Sequence, residues 1–197
     1  MYLDFFVNCV KNILKTLYTY GGMAPAFAVV FMFAYMKLRE RGLKETVRLW
    51  VKEFKENSEY RRIFVLAFYS AILLGRTVFC RDISAYPLGH LLGAWLHDEN
   101  GRITTTGIEN IILFIPMSAI LIWALYDRLF GSRRVSLWRI IKLSTSFSFI
   151  ISLSIEFVQL MLKSGRVQIS DLVFNTAGGL IGGVIYYIIY KIKHKGE

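Results

Sequence analysis

Five apolar stretches recur along this chain, at about 21–36, 63–80, 108–126, 138–162 and 172–190. A bilayer core about 30 Å thick takes roughly 20 apolar residues per crossing helix, and each stretch comes close to that length. The first is short, is interrupted by Pro25, and extends back through 17–20. The pattern predicts an all-α fold: a polytopic membrane helix bundle of about five transmembrane helices, with amphipathic interfacial helices beside them. Composition agrees. Of 197 residues, 55% are hydrophobic and 19% charged, whereas ordinary soluble domains carry about a quarter charged residues. Intrinsic disorder and a soluble enzyme are excluded. Two cysteines exclude a disulfide-rich scaffold and a Cys-cluster zinc site.

The net charge of +10 sits between the apolar runs, as in membrane proteins, so no nucleic-acid partner is expected. Nine Lys/Arg fall within 37–62 and four within 127–139, and the tail carries Lys191, Lys193 and Lys195. The stretch 81–107 holds only Arg81 and Arg102, and 163–170 only Lys163 and Arg166. The positive-inside rule puts the first three regions in the cytoplasm and the last two outside. A bacterial cell membrane location follows from the resemblance below, with the N-terminus outside and the C-terminus cytoplasmic. Residues 1–20 lack a secretory pattern, because Asp4 replaces the basic n-region and Lys11 and Lys15 interrupt the apolar run. They read as an interfacial helix, with a further crossing as the alternative. The chain divides into 1–62, holding that helix, the first span and a basic loop, and 63–197, a membrane domain.

Within the basic loop, Leu43, Val47, Trp50 and Phe54 recur on one helical face while Lys44, Arg48, Lys52 and Lys55 occupy another. That pattern predicts a helix in the headgroup plane. The outer loop 81–107 is expected to hold a short re-entrant or surface helix ending at Asn100-Gly101. His97, Asp98 and Glu99 are adjacent, and adjacent positions rarely converge on one ion, so no metal or cofactor is expected. Cys9 and Cys80 are expected as two buried free thiols.

The informative residues conflict with lipid. An ionisable group at the bilayer centre costs about 2.5–3.5 kcal/mol on insertion scales. Yet the fourth span carries Ser148, Ser152, Glu156 and Gln159 on one helical stripe, and the fifth opens with Asp171, Asn175, Gly178 and Gly182 on one face. The third opens with Glu109 and Asn110, and Arg76 and Arg81 end the second. Alternation of the spans puts these groups at one membrane face, which predicts a polar pocket there. Gly178, Gly179, Gly182 and Gly183 form two small-xxx-small patterns suited to close helix packing, with Gly178 and Gly182 a candidate contact between copies.

These residues give the second half its resemblance to the VanZ-like family of bacterial multi-pass membrane proteins, whose prototype is associated with low-level teicoplanin resistance. An Asn–Phe–Pro segment is matched by Asn110, Phe114 and Pro116, and a Ser-rich helix ending Ile-Glu-x-x-Gln by Ser154, Ile155, Glu156 and Gln159. A following Arg, turn and Asp-x-x-x-Asn-x-x-Gly-x-x-x-Gly are matched by Arg166, Asp171, Asn175, Gly178 and Gly182. The resemblance covers roughly 108–186, with weaker support from Arg81 and Pro87. It departs at Ser118, where the family has Gly, and in a turn before Asp171 that is one residue short.

The resemblance and the pocket together imply a cell-envelope protein that binds or alters an amphiphilic ligand and affects glycopeptide resistance. That ligand would be a lipid-linked peptidoglycan precursor, a lipid headgroup or a glycopeptide. The candidate ligand-binding residues are Arg76, Arg81, Asn110, Glu156, Gln159, Arg166, Asp171 and Asn175. Arginines suit phosphate, while Glu156 and Asp171 suit amines or sugar hydroxyls. The alternative is an intramembrane enzyme on a lipid-linked substrate, with Glu156 and Asp171 as the acid/base pair. The sequence leaves open which of the two it is.

Overall fold

The structure, a computed structural model, describes residues 2–35, 43–79, 83–86, 88–89, 91–93, 95, 103–131 and 135–194. Arg81, Cys80, Pro87, His90, His97, Asp98 and Glu99 lie outside the described residues. Eight α-helices follow in order: α1 (Tyr2–Gly21), α2 (Ala24–Tyr35), α3 (Leu43–Glu56), α4 (Ser58–Leu74), α5 (Thr106–Ala124), α6 (Tyr126–Phe130), α7 (Leu137–Leu162) and α8 (Ile169–Lys193). A π-helical segment, Gly75–Phe79, continues α4.

Four helices among the described residues are long and apolar enough to cross a membrane: Ser58–Phe79, Thr106–Ala124, Leu137–Leu162 and Ile169–Lys193. A fifth crossing exists only if α1 and α2, bent by 54° at their junction, are counted together. The expected first span, 21–36, corresponds to the second helix of that bent pair. Its helix α2 has 12 residues, about 18 Å at 1.5 Å per residue, too short to cross alone. The break falls at Gly22-Met23 rather than at Pro25. Pro25 sits in the first turn of α2, where a missing N–H costs nothing. The described parts of the outer loop before α5 contain turns and bridge positions, Ile83 pairing with Ser164, and no helix.

The packing is inverted relative to a soluble protein. On α7 the buried stripe is Ser144, Ser148, Ser152, Glu156 and Gln159, while Ile150, Leu153, Phe157 and Met161 are exposed. On α8, Ile185, Ile188, Ile189 and Ile192 face outward and the glycines inward. Exposed apolar area on this scale would drive association in water; in hydrocarbon it is the ordinary helix surface. The helices thus fit a multi-pass membrane protein.

α5 is the most enclosed span, with Leu113, Phe114, Met117, Leu121 and Ile122 in the apolar core. α8 wedges between α5 and α7 by offering each a different glycine pair. An ideal Cβ on Gly178 would lie 2.5 Å from the Ile111 carbonyl oxygen, and one on Gly182 2.3 Å from that of Ile115. Gly179 and Gly183 instead meet Ser148 and Ser144 of α7. The Gly178–Gly182 face, expected as a contact between copies, is occupied by α5 of the same chain. Without a hydrophobic drive between helices in lipid, this close approach supplies the packing.

At the end opposite the 80–105 loop, charge closes the bundle. Arg62 pairs with Asp127, and Arg128 with Glu59 at 2.8 Å. The helix expected in the basic loop is present as α3, with Lys44, Arg48, Lys52 and Lys55 exposed. Trp50 stacks on Phe54 at 5.2 Å and on Phe33 at 6.3 Å, and Phe54 meets Phe64 edge-on at 5.4 Å. Such ring pairs contribute about 0.5–1.5 kcal/mol each. Trp50→Ala is expected to release α3 to limited proteolysis while leaving the unfolding midpoint of the α4–α8 bundle nearly unchanged.

Candidate ligand site at the loop end of the bundle

The site is built around an irregularity in α4. A π-helical turn leaves backbone carbonyls without their usual partners and is frequent at functional positions. Here Thr77 and Val78 present those carbonyls to neighbouring elements. Gln159 Nε2 donates to the Thr77 oxygen at 2.6 Å, and Ser164 Oγ to the Val78 oxygen at 2.9 Å. The Thr77 hydroxyl donates back to Leu73 O at 2.8 Å. Two side chains of the α7 end are thereby fixed to the end of α4.

On one side of this segment lies a charged group. Arg76 pairs with Glu109 of α5, and its Nη1 donates to Thr16 Oγ1 of α1 at 2.8 Å. Asn12 Nδ2 of α1 donates to Glu109 Oε1 at 2.8 Å, and the Thr105 hydroxyl donates to the same oxygen. Glu109 is buried, and an arginine and two neutral donors supply the partners that a buried carboxylate needs. Asn110 is buried in the next position of α5.

On the other side lie the polar residues of α7 and α8. Glu156, Gln159, Asp171 and Asn175 are all buried, as are Ser152 and Ser170. Asn175 Nδ2 donates to Ser152 Oγ at 2.8 Å, and Glu156 Oε2 accepts the Gln168 backbone N–H at 3.0 Å. Arg166, in the connection between them, is exposed.

A roof covers this second group. The Ile169 N–H, at the start of α8, donates to Leu91 O at 2.8 Å. Gly93, at φ +74°, brings its backbone so close to Ser170 that a Cβ would lie 2.0 Å from the hydroxyl oxygen. Trp95 meets Phe174 edge-on at 5.9 Å, and Gly107 leaves the space this ring fills.

Under that roof, Gln159 Oε1, Ser170 Oγ and Asn175 Oδ1 are buried with no hydrogen-bond partner among the described residues, as is Ser148 Oγ farther along α7. A buried polar atom without a partner costs about 1–3 kcal/mol, and several beside two carboxylates mark a place where a donor belongs.

The sequence-derived candidates thus fall into two groups. Glu156, Gln159, Asp171 and Asn175 come together on α7 and α8. Arg76 pairs instead with Glu109, Asn110 is buried on the face of α5 that carries Gly107 and Phe114 and meets α8, and Arg81 is outside the described residues. The sequence reading missed Glu109 as a site residue, and missed Asn12, Thr16 and Ser170 altogether. Among the described residues no cluster of His, Cys, Asp and Glu is suited to a metal ion, and Cys9 is a buried free thiol.

A family model described as VanZ/LLP1 matches residues 26–190. No curated protein and no solved structure matches the chain.

Proposed function

Because this chain belongs to the VanZ/LLP1 family, we propose that it binds the polar end of an amphiphilic membrane ligand beneath the loop roof. The supporting observation is the set of buried, unpartnered atoms Gln159 Oε1, Ser170 Oγ and Asn175 Oδ1 beside Glu156 and Asp171. Amide and carboxylate oxygens accept hydrogen bonds and do not donate them. The matching ligand therefore presents donors, namely sugar hydroxyls or an ammonium group. A lipid-linked peptidoglycan precursor, an aminated lipid headgroup or a glycopeptide carries such groups. Reduced glycopeptide susceptibility of the host cell would follow from holding or shielding that ligand. In this reading the loop end faces outward from a bacterial cell membrane and the basic ends face the cytoplasm, with the N-terminus outside. The asymmetry of Lys and Arg between the two sets of connections supports that orientation.

The test uses purified protein in nanodiscs with a labelled lipid-linked disaccharide-peptide. Glu156→Gln keeps the side chain's size but removes its charge, and hydrogen bonds to charged groups contribute about 1.5–3 kcal/mol. Retention of the label is expected to fall about tenfold or more at unchanged protein level. Unchanged retention would contradict the reading. Chemical conversion of the label would replace it with catalysis, with Glu156 and Asp171 as the acid/base pair.

A further inference from the structure

We propose that α3 is a docking surface for anionic phospholipid headgroups, with Lys44, Arg48, Lys52 and Lys55 on the phosphates and Val47 and Val51 at the edge of the acyl layer. The surface lies at the end of the bundle opposite the loop roof and stands independently of the polar site under that roof.

Chain continuity places α3 at the boundary of the hydrocarbon. It ends at Glu56, and the helix long enough to cross begins at Ser58. The connection is fixed from both sides. Asn57 Oδ1 accepts the Tyr60 N–H at 3.2 Å and so caps α4. Arg61 Nη1 donates to Phe54 O at 3.1 Å and to Lys55 O at 2.8 Å, which satisfies carbonyls that the end of α3 leaves open. Trp50 and Phe54 both meet the ring of Phe64, at 6.5 and 5.4 Å. Phe64 stands about 9 Å along the axis from Ser58. The ring side of α3 is thereby held at the level where the crossing helix has entered the apolar layer. The bundle folds and orients α3 by itself, so lipid meets a surface whose ordering cost is already met.

The order of residues around α3 says what covers its outer side. At about 100° per residue, the two rings are followed by Val47 and Val51, then by Lys44, Lys55, Arg48 and Lys52, and then by Glu45 and Glu56. The valines are 46% and 40% exposed, and the four cations are exposed as well. Among the described residues none of the four is paired with a carboxylate. An apolar edge bordered by cations is the pattern of a helix lying in the headgroup layer. Long Lys and Arg chains run along apolar surface there and hold their charges at the phosphates. From Lys44 to Lys55 the cations extend over about 16 Å of the axis, which suits a charged surface rather than one bound phosphate. The sequence adds Lys37, Arg39 and Arg41 just before α3, so that 37–62 carries nine Lys/Arg against five Glu. An acidic soluble partner would match these charges but not the valines beside the hydrocarbon boundary.

The experiment uses the full chain in phosphatidylcholine nanodiscs carrying a trace of one of two probes, phosphatidylglycerol or phosphatidylcholine. Each probe has the same diazirine near the top of its acyl chain. The phosphatidylglycerol probe is expected to label α3 peptides about tenfold more than the phosphatidylcholine probe, with unlabelled phosphatidylglycerol as the effective competitor. Salt at about 1 M, where charges are screened beyond about 3 Å, should remove most of that preference. Lys44→Gln with Arg48→Gln, and separately Lys52→Gln with Lys55→Gln, should each lower it about threefold or more. All four together should abolish it at an unchanged unfolding midpoint. Should the fourfold variant lower the midpoint, the two pairs and the salt series on the unsubstituted chain decide. Equal labelling by the two probes at low salt would overturn the proposal, as would a preference indifferent to salt or to both pairs of substitutions. A photo-crosslinking amino acid in place of Val51 that captures a second copy of the chain or another protein, instead of lipid, would overturn it too.

Discussion

Arg76→Ala is expected to lower the stability of the folded protein by about 3–5 kcal/mol, because it strips the charged partner from a carboxylate that has no access to water. Glu109 is buried, and the remaining donors Asn12 and Thr105 are neutral. Arg76 itself is 28% exposed at its side chain, which places the effect toward the lower end of that range. The same substitution removes the bond to Thr16 and so loosens α1 from the bundle. Replacing both partners, Arg76→Met with Glu109→Met, should recover much of the loss, since an apolar pair leaves no uncompensated charge. Reversible unfolding in detergent, followed across the two single variants and the double, gives the coupling between them. A loss below about 1 kcal/mol for Arg76→Ala would mean that the pair is solvated and contributes no more than a surface bridge.

Gly182→Ala should be comparably severe for a different reason. The added Cβ would lie 2.3 Å from the Ile115 carbonyl oxygen and 2.1 Å from Ser118 Oγ. The hydroxyl can rotate away but the backbone oxygen cannot, so α8 must move off α5. Overpacking of this kind costs about 1–3 kcal/mol and sometimes more, and the displacement also breaks the bond from Ser118 Oγ to Gly179 O. Gly183→Ala is the matched control. Its Cβ meets only the Ser144 side chain at close range, at 2.1 Å from Oγ and 2.8 Å from Cβ, so it should be milder; Ser144→Ala should relieve it in part and Ser144→Gly more fully. If the two glycine variants unfold alike, the assignment of Gly178 and Gly182 to α5 and of Gly179 and Gly183 to α7 is wrong.

How far the sequence carried the description depended on how local each cause was. The last four spans were readable because hydropathy over about 20 residues decides them. Glu156 and Gln159 could be placed with Asp171 and Asn175 because helical periodicity puts each pair on one face and alternation puts both at one membrane end. The two glycine pairs were readable as packing surfaces, but not their division between two neighbours, since positions 178 and 179 differ by about 100° around the axis. Asn12 and Thr16 were illegible because nothing local says which helix the polar face of α1 meets. The π segment was illegible for a similar reason. What satisfies the Thr77 and Val78 carbonyls are Gln159 and Ser164, more than eighty residues away. The burial of Ser170 depends on Gly93 and the loop above it, and the break in the first apolar stretch was misplaced because the sequence singled out Pro25 where the chain turns at Gly22 and Met23.

The central claim concerns the buried oxygens of Gln159, Ser170 and Asn175, and an experimental structure grown from a lipidic phase with native membrane lipid present tests it most directly. The account predicts ordered non-protein density under the loop roof, within about 3.2 Å of Gln159 Oε1 and Asn175 Oδ1, with Glu156 and Asp171 beside it. Close apolar packing in that volume, or those side chains turned outward to lipid, would contradict it.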